Sequence, residues 1–332
     1  MRKRALGTFS INPIGLGCMG FSHGYGPRTP EPEAERAIVH AIESGYDFLD
    51  TAAVYGAGHN EELVGRAIKG RRDKIVLASK CGLNISQGAR GVSSDPTALL
   101  QTLEDSLRRL DVDHIDLYYI HRPDLTVPIE ESIGALAGAV RAGKIGAIGL
   151  SEVSAPWLRA AAAVHPIAAL QTEYSLWTRN PEIAVLDACR DLGTTFVAFS
   201  PVGRGFLAGG ASDPARFAED DMRRTMPRFH EPNFSQNLKL LDGLRAIAAD
   251  LGATPAQLCL AWLLHVDDDL VTIPGTTSTA HMDENAGAND LALSAADIAR
   301  LDALINQQTV AGPRYSPPMQ ASVLTEEFAV QA

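Results

Sequence analysis

The fold class predicted from sequence is α/β: a single (β/α)8 barrel with its site at the C-terminal ends of the strands. Three observations predict it. Eight short apolar runs alternate with helical segments along the chain. No linker or shift in composition divides the 332 residues, so one domain is expected over 1–332. Asp50, Lys80, His121, Ser151, Gln171, Ser200 and Gly275 each stand at or just past the C-terminal end of one of those runs. A doubly wound sheet fits the alternation too, but only a barrel brings all those ends to one rim.

Residues 11–17 read as the first strand, followed by a loop rich in glycine and proline as far as Pro32. Ala34, Ala37, Ile38, Ala41 and Ile42 share one helical face. Residues 48–50 form the next strand, 61–69 a helix, and 75–80 a buried strand ending on a lysine. Asp95 and Pro96 supply the cap and first position of a helix whose Leu99, Leu103, Leu107 and Leu110 face inward. Strands follow at 115–120, 145–150, 168–171, 195–199 and 270–273, separated by helices at 128–142, 156–164, 181–192, 235–251 and 255–264. A long loop at about 201–232 carries Arg204, Arg216, Arg223, Arg224 and Arg228, and a proline-containing tail runs from about 307 to 332.

Lys and Arg number 29 against 40 Asp and Glu, a net charge of −11, which argues against nucleic acid or an anionic membrane as the partner. Cys18, Cys81, Cys189 and Cys259 lie far apart with no CxxC pair, the pattern of reduced thiols rather than of disulfides or a metal site. The start, Met-Arg-Lys-Arg-Ala-Leu-Gly, lacks the apolar core of a signal peptide, and no run reaches membrane-spanning length. A cytoplasmic protein acting on a small molecule is expected.

Two glycine motifs mislead. Gly15-Leu-Gly-Cys-Met-Gly20 has dinucleotide-fingerprint spacing, but its helix begins only near Glu33, whereas the true motif opens a helix at once. Gly138 to Gly143-Lys144 resembles a phosphate loop, yet Ile145 follows it and it runs from helix to strand.

The chemistry rests on three consecutive strands ending in Asp50, Lys80 and His121, with Tyr55 in the loop after the first. Singly, each has a structural explanation. Together they suit carbonyl reduction, in which hydride addition leaves negative charge on an oxygen that must be protonated. A phenol of pKa ~10 is a weak acid at neutral pH. A neighbouring Lys80 ammonium lowers that pKa, Asp50 keeps the ammonium charged, and His121 directs the carbonyl.

The chain resembles the aldo-keto reductase family over nearly its whole length, closest to bacterial and fungal aldehyde or pyridoxal reductases. The resemblance lies in Asp50-Thr-Ala-x-x-Tyr55-Gly56, the strand ending at Lys80, Ile115-Asp-Leu-Tyr-Tyr-Ile-His121-Arg122, and Gly143-Lys-Ile-Gly-Ala-Ile-Gly-Leu-Ser151. Gln171-Thr-Glu-Tyr174 and Phe199-Ser-Pro-Val-Gly-Arg-Gly-Phe-Leu207 complete it. It implies Tyr55 as general acid, Lys80 and Asp50 as its tuning pair, and His121 as the orienting residue. Ser151 and Gln171 match the residues on the nicotinamide carboxamide, although Glu152 stands where Asn is frequent. Phe199 takes the place of a stacking tyrosine, next to Ser200. Gly203, Arg204, Gly205 and Leu207 resemble the loop over the pyrophosphate.

The resemblance makes NADPH the default cofactor. Gly275, Thr276, Thr277, Ser278 and His281 fall at its phosphate end, and Glu284 and Asn285 match the adenine-contacting pair. No Lys or Arg lies between Arg245 and Arg300, which opens the way to NADH. Met19, Phe21, Trp177 and Phe206 are candidate pocket walls, with the tail closing one side. The resemblance also allows a channel-associated, cofactor-sensing subunit, or an enzyme running mainly as an alcohol or sugar dehydrogenase.

Overall fold

The computed structural model describes residues 3–86 and 89–328. Eight parallel strands run in sequence order around a barrel: β1 (Leu16–Gly17), β2 (Phe48–Asp50), β3 (Val76–Cys81), β4 (Ile115–Ile120), β5 (Ile145–Ser151), β6 (Ile167–Glu173), β7 (Thr195–Phe199) and β8 (Leu270–Ile273). The seam is closed by the backbone on both sides. The Gly15 amide donates to Thr272 O and the Thr272 amide to Pro13 O, each at 2.8 Å, and Gly17 bridges Gly275.

Helices α1 (Glu31–Glu43), α2 (His59–Ile68), α3 (Pro96–Leu110), α4 (Ile129–Arg141), α5 (Ala155–Val164) and α6 (Val185–Leu192) follow the strands in turn. Between β7 and β8 come α7 (Asn233–Asp250) and α8 (Pro255–Val266), and after β8 come α9 (Thr279–Ala286) and α10 (Ala295–Leu304). Their starts are set locally. Asp95 Oδ1 accepts from the Ala98 amide at 2.9 Å with Pro96 at the first position of α3, and Thr254 and Gln257 form a capping box ahead of α8. Among the described residues no single helix is long and apolar enough to cross a membrane.

Side chains of a strand alternate between two faces, and this period of two builds two cores. Phe48, Ala78, Leu117, Tyr119, Ala169, Val197 and Val271 fill the barrel interior, while Leu49, Leu77, Tyr118, Ile120 and Leu170 pack outward against the helices. Two residues beyond Phe48, Ala78, Tyr119, Ala169 and Val197 come Asp50, Lys80, His121, Gln171 and Phe199, and on β5 Ser151 stands four beyond the inward-facing Ala147. The polar site is therefore the top layer of the barrel's own interior.

The sequence reading misses two hairpins. Residues 11–17 do not form one strand: Phe9–Ile11 pairs antiparallel with Arg4–Leu6, and pairing with the barrel begins after Asn12, at the Pro13 carbonyl and Ile14. Proline supplies no amide to a ladder, so the break falls there. This hairpin drives Leu6 and Ile11 into the interior core. It is tied to the amino ends of β7 and β8, with Thr195 Oγ1 donating to Ala5 O at 3.0 Å and Arg4 Nη1 to Asp267 O at 2.6 Å. It plugs the end opposite the site. The second hairpin, Leu83–Ser86 with Ala89–Val92, follows β3.

Gly65 marks the α2–α3 crossing, where a Cβ would lie 2.6 Å from the Leu110 carbonyl oxygen. Gly→Ala in a helix interior ordinarily stabilises by ~1 kcal/mol. Here the neighbour is backbone and cannot rotate away, so Gly65→Ala should destabilise by about 1–3 kcal/mol, read as a lower urea midpoint. An unchanged or higher midpoint would show that the crossing can spread.

Candidate active site

Lys80 organises the site. Its ammonium is buried and hydrogen-bonds Asp50 Oδ1, the Thr51 carbonyl at 2.9 Å and the Tyr55 hydroxyl at 3.3 Å. Asp50 Oδ2 accepts from Gln171 Nε2 at 2.7 Å, so the carboxylate is held from both sides of the barrel. The backbone places these groups. Asp50 pairs with Ala78 between β2 and β3, and past the strand end the Ala53 amide donates to Lys80 O at 3.1 Å.

Tyr55 stands at the start of a short turn, Tyr55–Gly58, in which Gly56 and Ala57 adopt left-handed conformations with φ of 58° and 56°. Buried Asn60 anchors this turn. It accepts from Thr51 Oγ1 at 2.6 Å and donates to Cys18 O at 2.8 Å and Ser22 Oγ at 2.7 Å. The Tyr55 ring meets His121 edge-on, centroids 5.7 Å apart, and His23 at 5.4 Å. The four residues expected to act together do lie together.

Burial in the rim raises the pKa of Tyr55 above its ordinary 10.0, with the Asp50 charge adding to the rise and Lys80 and Arg122 opposing it. This differs from the expected lowering: Lys80 pulls in the expected direction, but burial is larger. For Lys80 burial acts downward, yet Asp50 and Tyr55 outweigh it and the ammonium is held above its ordinary value. Burial likewise raises Asp50 despite Lys80 and Gln171. The charge of Lys80 is secure; the phenol keeps its proton.

The ends of β5 to β8 offer a second set of groups. Ser151 Oγ accepts from Arg122 Nη1 at 3.2 Å. Phe199 is half-buried, and the chain beyond it curls through positive φ at Ser200, Gly203, Arg204 and Gly205. Only glycine suits residue 203, because a Cβ there would lie 2.8 Å from the Trp177 ring. Turn bonds from the Gly203, Phe206 and Leu207 amides, to Ser200, Gly203 and Val202 carbonyls respectively, shape this loop. After β8, Gly275, Thr277 and His281 are exposed and Thr276 and Ser278 half-buried around the start of α9, with Glu284 half-buried and Asn285 buried further along that helix. Donors along four strand ends, closing on a helix start, fit an extended anionic cofactor.

Three sequence expectations are corrected. Arg204, expected on a pyrophosphate, has its guanidinium in a buried pair with Glu173 Oε2 at 2.6 Å and a bond to the Tyr315 hydroxyl at 2.9 Å. Phe21 is fully buried in the core outside the barrel, so it forms no exposed wall. Trp177 and Phe206 stack on each other, centroids 4.3 Å apart, beneath Phe229 and Phe234, because large aromatic faces gain more from packing than from water. Met19 alone of the proposed walls is part-exposed. The sequence reading names Glu152 only as a departure from the family, includes Glu173 only within a motif, and passes over Asn60 and Arg314; the burial of these polar residues is a signal that only the fold gives.

Among the described residues no cluster of His, Cys, Asp and Glu could hold a metal ion, and the four cysteines are free and buried. A model of the aldo/keto reductase family matches residues 13–306. The aldo-keto reductase yakc of Schizosaccharomyces pombe, whose name specifies NADP(+), is 43% identical over 321 residues, covering 95% of this chain and 94% of the relative. The structure of a glycerol dehydrogenase from Gluconobacter oxydans superposes with a TM-score of 0.85 at 28% identity, over 95% of this chain and 98% of that one. An aldo/keto reductase from Klebsiella pneumoniae, solved with NADP and acetate, gives 0.73 at 28% identity, over 95% and 99% of the two chains.

Removing one member of the Asp50–Lys80 pair leaves the other charged and buried. Lys80→Met should therefore cost about 3–5 kcal/mol of stability, and the double variant Asp50→Asn/Lys80→Met less than the sum of the single losses. A double-mutant cycle in urea measures this. Additive losses would mean the two charges are not coupled.

Proposed function

The chain belongs to the aldo/keto reductase family, and on that premise we propose that Tyr55, Lys80, Asp50 and His121 carry out its reduction of aldehydes and ketones to alcohols. The observation that carries this reading is the buried chain Gln171–Asp50–Lys80–Tyr55, which ends on a phenol at the rim. The full set speaks for catalysis rather than for a purely cofactor-sensing interaction subunit.

When bound, the reduced nicotinamide supplies the hydride. The carbonyl oxygen then needs a proton as its negative charge develops, and Tyr55 is the donor. Burial keeps the phenol protonated until that moment. Lys80, one hydrogen bond away, stabilises the phenolate left behind, and Asp50 keeps Lys80 charged. His121 fixes the direction of the carbonyl from the other edge of the Tyr55 ring. In the reverse direction the same phenolate takes the alcohol proton, so one site serves both reactions.

NADPH is the cofactor we assign, in line with the NADP(+) of the fission-yeast relative. Ser151 and Gln171 would hold the carboxamide, Phe199 would stack on the nicotinamide, and the 200–207 loop would cover the pyrophosphate through its backbone rather than through Arg204. Neutral donors at Thr276, Thr277 and Ser278 would take the adenosine-side phosphate, with Glu284 and Asn285 on the adenine. A charge-assisted hydrogen bond contributes about 1.5–3 kcal/mol. Without Lys or Arg between Arg245 and Arg300, kcat/KM with NADPH should exceed that with NADH by no more than roughly tenfold. Steady-state kinetics with both cofactors tests this, and a preference of several hundredfold would show that the missing cations are immaterial.

Tyr55→Phe should lower kcat for aldehyde reduction by about 10²–10⁴-fold with little change in dinucleotide affinity. A phenol acts as an acid only while protonated, that is, below its pKa. Since burial raises that pKa above 10.0, kcat/KM for reduction should stay level through neutral pH and fall only beyond the ordinary tyrosine range. Near-normal turnover by the variant, or an alkaline limb that begins near neutrality, would remove the acid role from Tyr55.

A further inference from the structure

Glu152 follows Ser151 at the end of β5, is fully buried, and has a φ of 56°. That left-handed backbone suits Gly or Asn better than a long charged residue. What Glu offers in exchange is reach. Its carboxylate accepts both η nitrogens of Arg314 at 2.9 and 2.8 Å, the Thr325 hydroxyl at 2.8 Å and the Glu173 amide at 3.1 Å. Its carbonyl accepts from the Leu324 amide at 2.9 Å. All these donors except Glu173 come from the segment after α10, beyond the residue 306 at which the family match ends.

The contacts close into a ring. Glu173, at the end of β6, accepts from Arg204 at 2.6 Å, and Arg204 donates also to the Tyr315 hydroxyl at 2.9 Å. Tyr315 is the chain neighbour of Arg314, and its ring lies between the two guanidiniums, 4.5 Å from Arg314 and 5.6 Å from Arg204. Two carboxylates and two guanidiniums thus balance, with no side chain of the four more than 6% exposed. The ring joins the strand ends bearing Ser151 and Gln171, the loop after β7 and the C-terminal segment. Such an arrangement closes as a unit, because opening any one contact strands a charge away from water.

We propose that Glu152 is a positioning residue, and that through Arg314 it latches the C-terminal segment over the barrel mouth. Closing the latch sets Ser151 and the 200–207 loop in the register that seats the nicotinamide half of the bound dinucleotide. The inference rests on Ser151 and Gln171 being the nicotinamide-side contacts. A clasp that merely fastened the tail would affect stability alone, or both halves of the cofactor equally.

Titration calorimetry separates these cases, with NADP+ as one probe and adenosine 2′,5′-bisphosphate, which lacks the nicotinamide half, as the other. In Glu152→Gln, and independently in Arg314→Met approached from the tail side, NADP+ affinity should fall by roughly tenfold or more. Bisphosphate affinity should stay within about twofold, and Arg314→Lys, which keeps the charge, should recover part of the NADP+ affinity. Circular dichroism of each variant checks that it is folded. Equal weakening of both probes, or no change in either, overturns the latch. Failure of the unaltered protein to bind NADP+ would overturn the reading of the site, and the latch with it.

Discussion

An ammonium sealed from water sets the terms for the rest of this barrel. Lys80 can stay charged only if an anion and further acceptors meet it, and no single element supplies them. Asp50 and the Thr51 carbonyl come from β2 and the residue beyond it, the phenol from the turn after that, and the amide that steadies Asp50 from β6 across the interior. Each strand must therefore stop at the right height and face. The interior core of Phe48, Ala78, Leu117, Tyr119 and Ala169 fixes those heights, since one residue of slippage would turn Asp50 and Lys80 toward the helices.

A second charge assembly, around the mouth, has a different character. Burial alone would raise Glu152 and Glu173, but Arg314 and Arg204 prevail and hold both carboxyls below their usual range. Burial would lower Arg204 and Arg314, and their carboxylate partners keep both raised. None of these four groups changes charge near neutral pH. The outer assembly thus keeps its charges through neutral pH and holds its shape by them.

Much of this was legible in the sequence because a strand carries its message in a period of two. Seven of the eight apolar runs, the polar residues at most of their ends and the Asp–Pro helix start translated directly, and three consecutive strand ends marked the inner assembly. What stayed hidden depends on distance in space. Glu152 and Arg314 lie far apart in the chain, and neither occupies a position that periodicity marks as buried. Trp177 and Phe206 read equally well as pocket wall or core until their stacking on each other was known. The amino-terminal hairpin escaped because its strands are too short for alternation to register.

The seam bears on how the molecule is made. Pro13 and Gly15 hydrogen-bond Thr272, and Gly17 bridges Gly275, so β1 finds its outer neighbour only in β8, the last of the eight barrel strands in the chain. Until then the growing sheet has two open edges, each a row of unpaired amides and carbonyls able to recruit other chains. The hairpin that plugs the barrel floor waits as well, since its anchors at Thr195, Asp267 and Leu270 are synthesised late. Closure thus waits until β8 has been made. A chain cut short before residue 270 would lack β8 and leave β1 and β7 as open edges, each able to pair with another chain.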